Sequence, residues 1–132
     1  MGRRELREQI FLLLFRIEFN TASDMPEQMK MFIEDDEIQR TTKDAEYITG
    51  KYDSIMSKLS EIDAQLTEKA ENWDIKRMGK VELTVLRLAL YEMKYDEDVP
   101  VSVAINEAVD LAKKFGQVSA GAFVNAILAK FA

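Results

Sequence analysis

Three arginines, Arg3, Arg4 and Arg7, open the segment RRELREQIFLLLFRIEF. On a helix, residues three and four apart are neighbours, so Arg3 and Arg4 both flank Arg7. Guanidinium groups grip phosphate in bidentate fashion and stack on bases, which makes a nucleic acid the natural ligand of such a turn. Positive charge at a helix N-terminus also opposes the helix dipole. The cluster therefore costs a little stability, which favours an external reason for it. A solubilising, frayed terminus, with Glu5 and Glu8 partly neutralising it, accounts for the same residues. Spacing alone leaves both readings open. The chain as a whole carries a formal charge of −6, so a polyanion would have to be met locally.

The other charged groups have plainer readings. Lys76, Arg77 and Lys80 form a second basic group, read as solvated. Arg87 lies inside VLRLAL, apolar on most sides, where a charge is costly unless paired. Glu92, Glu107 and Glu82 are its candidate partners, and a structural ion pair is expected. The acidic run Glu34–Glu37 lacks the alternating oxygen ligands and glycine turn of a calcium loop and reads as a solvated surface. The sequence contains no histidine and no cysteine. That removes the commonest general base, the commonest metal ligand, and any disulfide or thiolate site. There is no nucleophile elbow, phosphate-cradling glycine loop or dinucleotide fingerprint. With 24 acidic residues and nothing to single out a pair, no enzyme, cofactor or metal is expected.

These residues must be positioned by helices. With 132 residues, two prolines and five glycines, the chain suits one domain, residues 1–132, without a loop-rich or all-β plan. In the first segment Leu6, Ile10, Leu13, Leu14 and Ile17 recur at helical spacing, and Phe11, Phe15 and Phe19 form a second row. Two apolar rows imply a helix touched on more than one side. Aromatic residues so spaced are usually core, yet a spare row containing Phe15 and Phe19, and likewise Phe123, would suit a protein-binding patch. Asn20–Asp24 breaks the helix, and Pro26 suits the first turn of a short one running to Ile33. Residues 41–70 read as two helices with a break near Ser60. Asp74–Met78 reads as a short helix, and a deeply packed helix starts at Lys80. Ser102 is expected to cap the next, Gly116 to end it, and Ser119 to cap the last. The architecture predicted is all-α, with about seven short helices. The basic start of a greasy segment has the look of a signal peptide, but Arg7, Glu8, Arg16 and Glu18 interrupt it. Its uncharged run is too short to span a bilayer. A soluble, cytoplasmic protein without membrane partners is expected.

The C-terminal half adds a specific likeness. VELTVLRLALYEM, then VPVSVAINEAVDLAKKFG, then FVNAIL closely resembles the transcription antitermination factor NusB family. Trp73 with Arg77 four residues on, and the opening RRxxR, also look like the family pattern. Residues 73–128 carry most of the resemblance, and residues 20–70 match only in helical character. The resemblance implies two three-helix subdomains packed across each other, with the first helix central. It implies binding to boxA-type RNA of nascent ribosomal RNA transcripts and pairing with the small-subunit ribosomal protein that acts as NusE. The pair then helps RNA polymerase read through terminators. On this likeness Arg3, Arg4, Arg7 and Lys80 would contact RNA, and Phe15, Glu82, Ser119 and Phe123 would contact the protein partner. Ser119 departs from an acidic residue of some members, and Ala126 and Ala129 replace a glycine and an aspartate, which bears on the strength of partner binding. The family also allows a homodimer that masks the arginines. The competing expectation is a helical protein-interaction scaffold that does not bind RNA.

Overall fold

The computed structural model describes residues 1–71 and 73–132. Among the described residues there are seven α-helices and no strand: α1 Arg3–Phe15, α2 Met25–Ile33, α3 Thr42–Ser57, α4 Leu59–Lys69, α5 Lys80–Tyr95, α6 Val101–Phe115 and α7 Ala120–Ala129. They form two compact units, Met1–Met56 and Ser57–Ala132. The division falls at the end of α3. None of the helices is long and apolar enough to cross a membrane, among the described residues.

In the first unit, five of the six residues Gln9–Leu14 are buried, so α1 is enclosed on more than one side, as its two apolar rows require. It stops at Phe15 and tightens into a 3-10 turn over Arg16–Glu18. The Asn20 side-chain amide donates to the Arg16 carbonyl at 2.8 Å, satisfying one of the orphan acceptors of the helix end. That is the physical form of the break expected at Asn20. Pro26 sits in the first turn of α2, where its missing N–H is no loss. At the start of α3 the Asp44 N–H donates to Thr41 Oγ1 and the Thr41 N–H to the Asp44 carboxylate, each at 3.0 Å. This reciprocal cap holds the Asp44 carboxyl below the ordinary carboxylate range, chiefly through the Thr41 backbone donor.

In the second unit α4 follows α3 after Lys58 alone, two residues before the expected break, with no proline or glycine to mark it. Asp74 accepts from the Lys76 N–H at 3.0 Å and caps a 3-10 turn over Ile75–Arg77, where a short helix was expected. Every residue of α5 from Leu83 to Glu92 is buried. Helices α4, α6 and α7 pack on it. Burying Leu86, Leu88 and Leu90 contributes about 2 kcal/mol apiece. Ala104, Ala108 and Ala112 are the buried positions through which α6 comes close to its neighbours.

Two caps differ from expectation. Helix α6 begins at Val101, directly after Pro100, and the Ala104 N–H already donates to the Pro100 carbonyl at 3.0 Å. Ser102 therefore lies inside the first turn and is exposed, because the proline sets the entry two residues earlier. Ser119 does hold the N-cap position of α7, but its backbone is helical and its side chain makes no capping hydrogen bond. Gly116 ends α6 as expected, though with extended backbone, φ −100°. A Cβ there would stand 2.7 Å from the Ala112 carbonyl oxygen and 2.7 Å from the Ala120 Cβ. Close approach, not left-handed geometry, requires glycine at that corner.

Candidate functional site

In the first unit, burial along α1 begins at Gln9, so the helix tip carries Arg3 and Arg4 into solvent, while Arg7 is half-buried. The unit's other arginines are built into the fold. Arg40 donates to Gln9 Oε1 from Nε and Nη2, and to the Phe32 carbonyl at 2.9 Å. Its guanidinium also lies over the Phe32 ring, 4.5 Å from the centroid. Partial burial is the main cause pulling its pKa down. Arg16 approaches the same ring at 5.1 Å and donates to Gln28. Phe15 is half-buried. It stacks on buried Phe11 at 5.8 Å and meets the edge of exposed Phe19 at 5.1 Å. The aromatic row thus grades from core to surface along α1.

In the second unit an open groove of about 680 Å³ brings together Lys80, Glu82, Ser119 and Phe123 with Trp73 and Arg77. Four of the residues singled out from the sequence therefore share one concavity, framed by the N-terminal turn of α5 and the start of α7. The Glu82 carboxylate lies close against two glycines: a Cβ on Gly79 would overlap it, and one on Gly116 would meet Glu82 Oε1 at 3.2 Å. Two glycines thus make room for one carboxylate. Trp73 and Phe123 meet edge to face, with centroids 5.2 Å apart and planes at 83°. Neither Trp73 nor Arg77 was assigned a role from the sequence. The available signal was a lone tryptophan next to a basic pair in an irregular connection.

Arg87 stands in a salt bridge, as its setting demands. Its Nε and Nη2 donate to the two carboxylate oxygens of Asp63 on α4, each at 2.9 Å. Asp63 was not among the partners considered from sequence. Glu92 is buried on α5 and Glu107 half-buried on α6. The run Glu34–Glu37 is exposed and turned by its own chain, the Glu37 N–H donating to Asp35 Oδ1 at 3.0 Å. Among the described residues no group of three or more acidic side chains is placed to hold a metal ion.

The described residues thus make an all-α protein of short helices, with a basic tip on α1 and an aromatic, charge-lined groove in the second unit. The NusB family model matches residues 4–132, and the chain belongs to that family. It is 46% identical over 132 residues to the transcription antitermination protein NusB of Agathobacter rectalis, covering 100% of both chains. It is also 46% identical to that of Lachnoclostridium phytofermentans over 130 residues, 98% of each chain. Among solved structures, T. maritima NusB matches with a TM-score of 0.88 at 32% identity, covering 98% of this chain and 89% of that one. A chain in a crystal structure of the antitermination factors NusB and NusE with double-stranded RNA matches with a TM-score of 0.82 at 28% identity, covering 97% and 93%.

Proposed function

We propose that this protein is a non-enzymatic, cytoplasmic transcription antitermination factor. It binds boxA-type RNA of nascent ribosomal RNA transcripts together with the ribosomal protein that acts as NusE, and so aids read-through by RNA polymerase. The observation that carries the reading is the full-length likeness to antitermination proteins, joined to a fold match with a chain solved beside NusE and RNA. Arg3, Arg4 and Arg7 on the tip of α1 supply phosphate-binding guanidinium groups, with Lys80 as a further cation. Phe15, Glu82, Ser119 and Phe123 serve the protein partner. A gel shift with boxA RNA against a scrambled control, with and without the ribosomal partner, tests it. Preference for boxA is expected. If four cations release counterions, log affinity falls with log salt at a slope of about −3 for single-stranded RNA. Reversing Arg4 and Arg7 to glutamate should weaken binding at least tenfold and flatten that slope, with an unchanged helical circular dichroism spectrum. Equal affinity for boxA and scrambled RNA with the partner present refutes the proposal.

A second reading, a helical scaffold that binds protein only, draws support from Phe19 and Trp73, which are 62% and 53% exposed. It retains partner binding and predicts indifference to the arginine reversal.

A further inference from the structure

We propose that Trp73 is a stacking platform for an unpaired base of bound RNA, with Arg77 and Lys80 of the same groove facing its backbone. The inference rests on the RNA-binding reading above and names a contact within it. Its basis is geometric. Trp73 is 53% exposed, which is wasteful for the largest apolar side chain unless a partner covers it. Its one aromatic contact, with Phe123, is edge to face at 83°. Phe123 therefore covers at most one face of the indole, and the 53% exposure leaves room for a flat ligand on the ring. Trp73, Arg77 and Lys80 line one groove. An aromatic face beside cations is what single-stranded nucleic acid requires: the charges follow the phosphates while a base lies on the ring. The chain is acidic overall, with a formal charge of −6. Arg77 and Lys80 outnumber Glu82, the one carboxylate of the groove's lining, so the groove is a local exception with the right sign for a polyanion. The protein partner given Glu82, Ser119 and Phe123 above lies along the same groove, so the rival reading is that it also covers the Trp73 indole, and the test separates the two.

Trp73 is the only tryptophan, so its emission reports on this side chain alone. The full-length protein is titrated with an end-labelled, single-stranded boxA-type RNA. Binding is followed by anisotropy of the label and, in parallel, by indole fluorescence. Stacking predicts quenching that saturates at the same RNA concentration as the anisotropy. An RNA carrying one abasic sugar at the stacked position, its phosphates intact, still binds but no longer quenches. Trp73→Leu lowers affinity roughly tenfold or more, whereas Trp73→Phe, which keeps a π-face, recovers most of the loss. Circular dichroism of both variants matches the parent, since the side chain is largely outside the core. Normal anisotropy with unchanged Trp73 emission, and a Trp73→Leu variant that binds like the parent, overturns the stacking contact while leaving RNA binding by α1 intact. A Trp73→Phe variant as weak as Trp73→Leu also overturns it. So does a shift of Trp73 emission on adding the ribosomal partner alone, with no further change on adding RNA, which would give the indole itself to the protein partner. Absence of any anisotropy change refutes the functional reading itself, and the stacking contact with it.

Discussion

At the scale of single residues, the sharpest division is between cations that hold the fold and cations that are offered outward. Arg87 belongs to the first kind. Its side chain is 10% exposed and that of Asp63 25%, so the pair is largely but not wholly dry. Removing one partner of a fully buried pair costs about 3–5 kcal/mol because the other charge is stranded. Partial solvent access to Asp63 lowers that, and Asp63→Ala should cost about 2 kcal/mol in chemical denaturation. The double variant Asp63→Leu with Arg87→Met, which removes both members of this pair, should recover part of the loss. A double variant no more stable than Asp63→Ala would show that the penalty is lost packing and not the broken ion pair. The need for a partner was legible in VLRLAL; that Asp63 supplies one was not. Asp63 stands 24 positions earlier, and only the packing of α4 on α5 brings it near. Trp73 escaped assignment for a related reason. It lies in an irregular connection, where no periodicity says which way a side chain faces.

At the scale of elements, the number and order of helices followed from apolar spacing, because an amphipathic repeat survives any detail of packing. Helix ends were less secure. Pro26 and Gly116 marked true boundaries, since each acts through its own covalent geometry or size. Ser102 and Ser119 misled because a serine caps only if its backbone leaves helical angles. At Ser102 the preceding proline sets the entry; at Ser119 the backbone stays helical. Two glycines make the same contrast measurable. Gly50 lies inside α3 with nothing within 4 Å of a Cβ placed on it. Gly50→Ala should therefore stabilise the protein by about 0.5–1 kcal/mol through helix propensity. Gly116→Ala puts a methyl 2.7 Å from the Ala112 carbonyl oxygen, which is backbone and cannot swing aside. It should destabilise by about 1–3 kcal/mol. Urea midpoints moving in the same direction for both would remove close packing at the α6–α7 corner as the reason for glycine there.

At the scale of the whole molecule, the unexplained quantity is the sign of the net charge. On the proposed function, a protein at −6 repels RNA at long range and attracts it where the arginines and the groove cations stand. Each exposed charge acts through solvent over a Debye length of about 10 Å at 0.1 M salt, falling to about 3 Å at 1 M. The acidic surface therefore slows encounter in dilute salt without touching the bound complex, a filter that disfavours indiscriminate polyanion binding. Glu34, Asp36 and Glu37 are exposed, and none has a role in either proposed surface. The triple variant Glu34→Gln, Asp36→Asn, Glu37→Gln brings the net charge from −6 to −3. Stopped-flow measurement should find its association rate for boxA-type RNA raised about two- to fivefold at low salt and equal to the parent near 1 M, with the dissociation rate unchanged throughout. Scrambled RNA should gain by the same factor, because a long-range field cannot read sequence. A change confined to dissociation would mean that the acidic run touches the RNA directly, and the separation of a repelling body from attracting local sites would then fail.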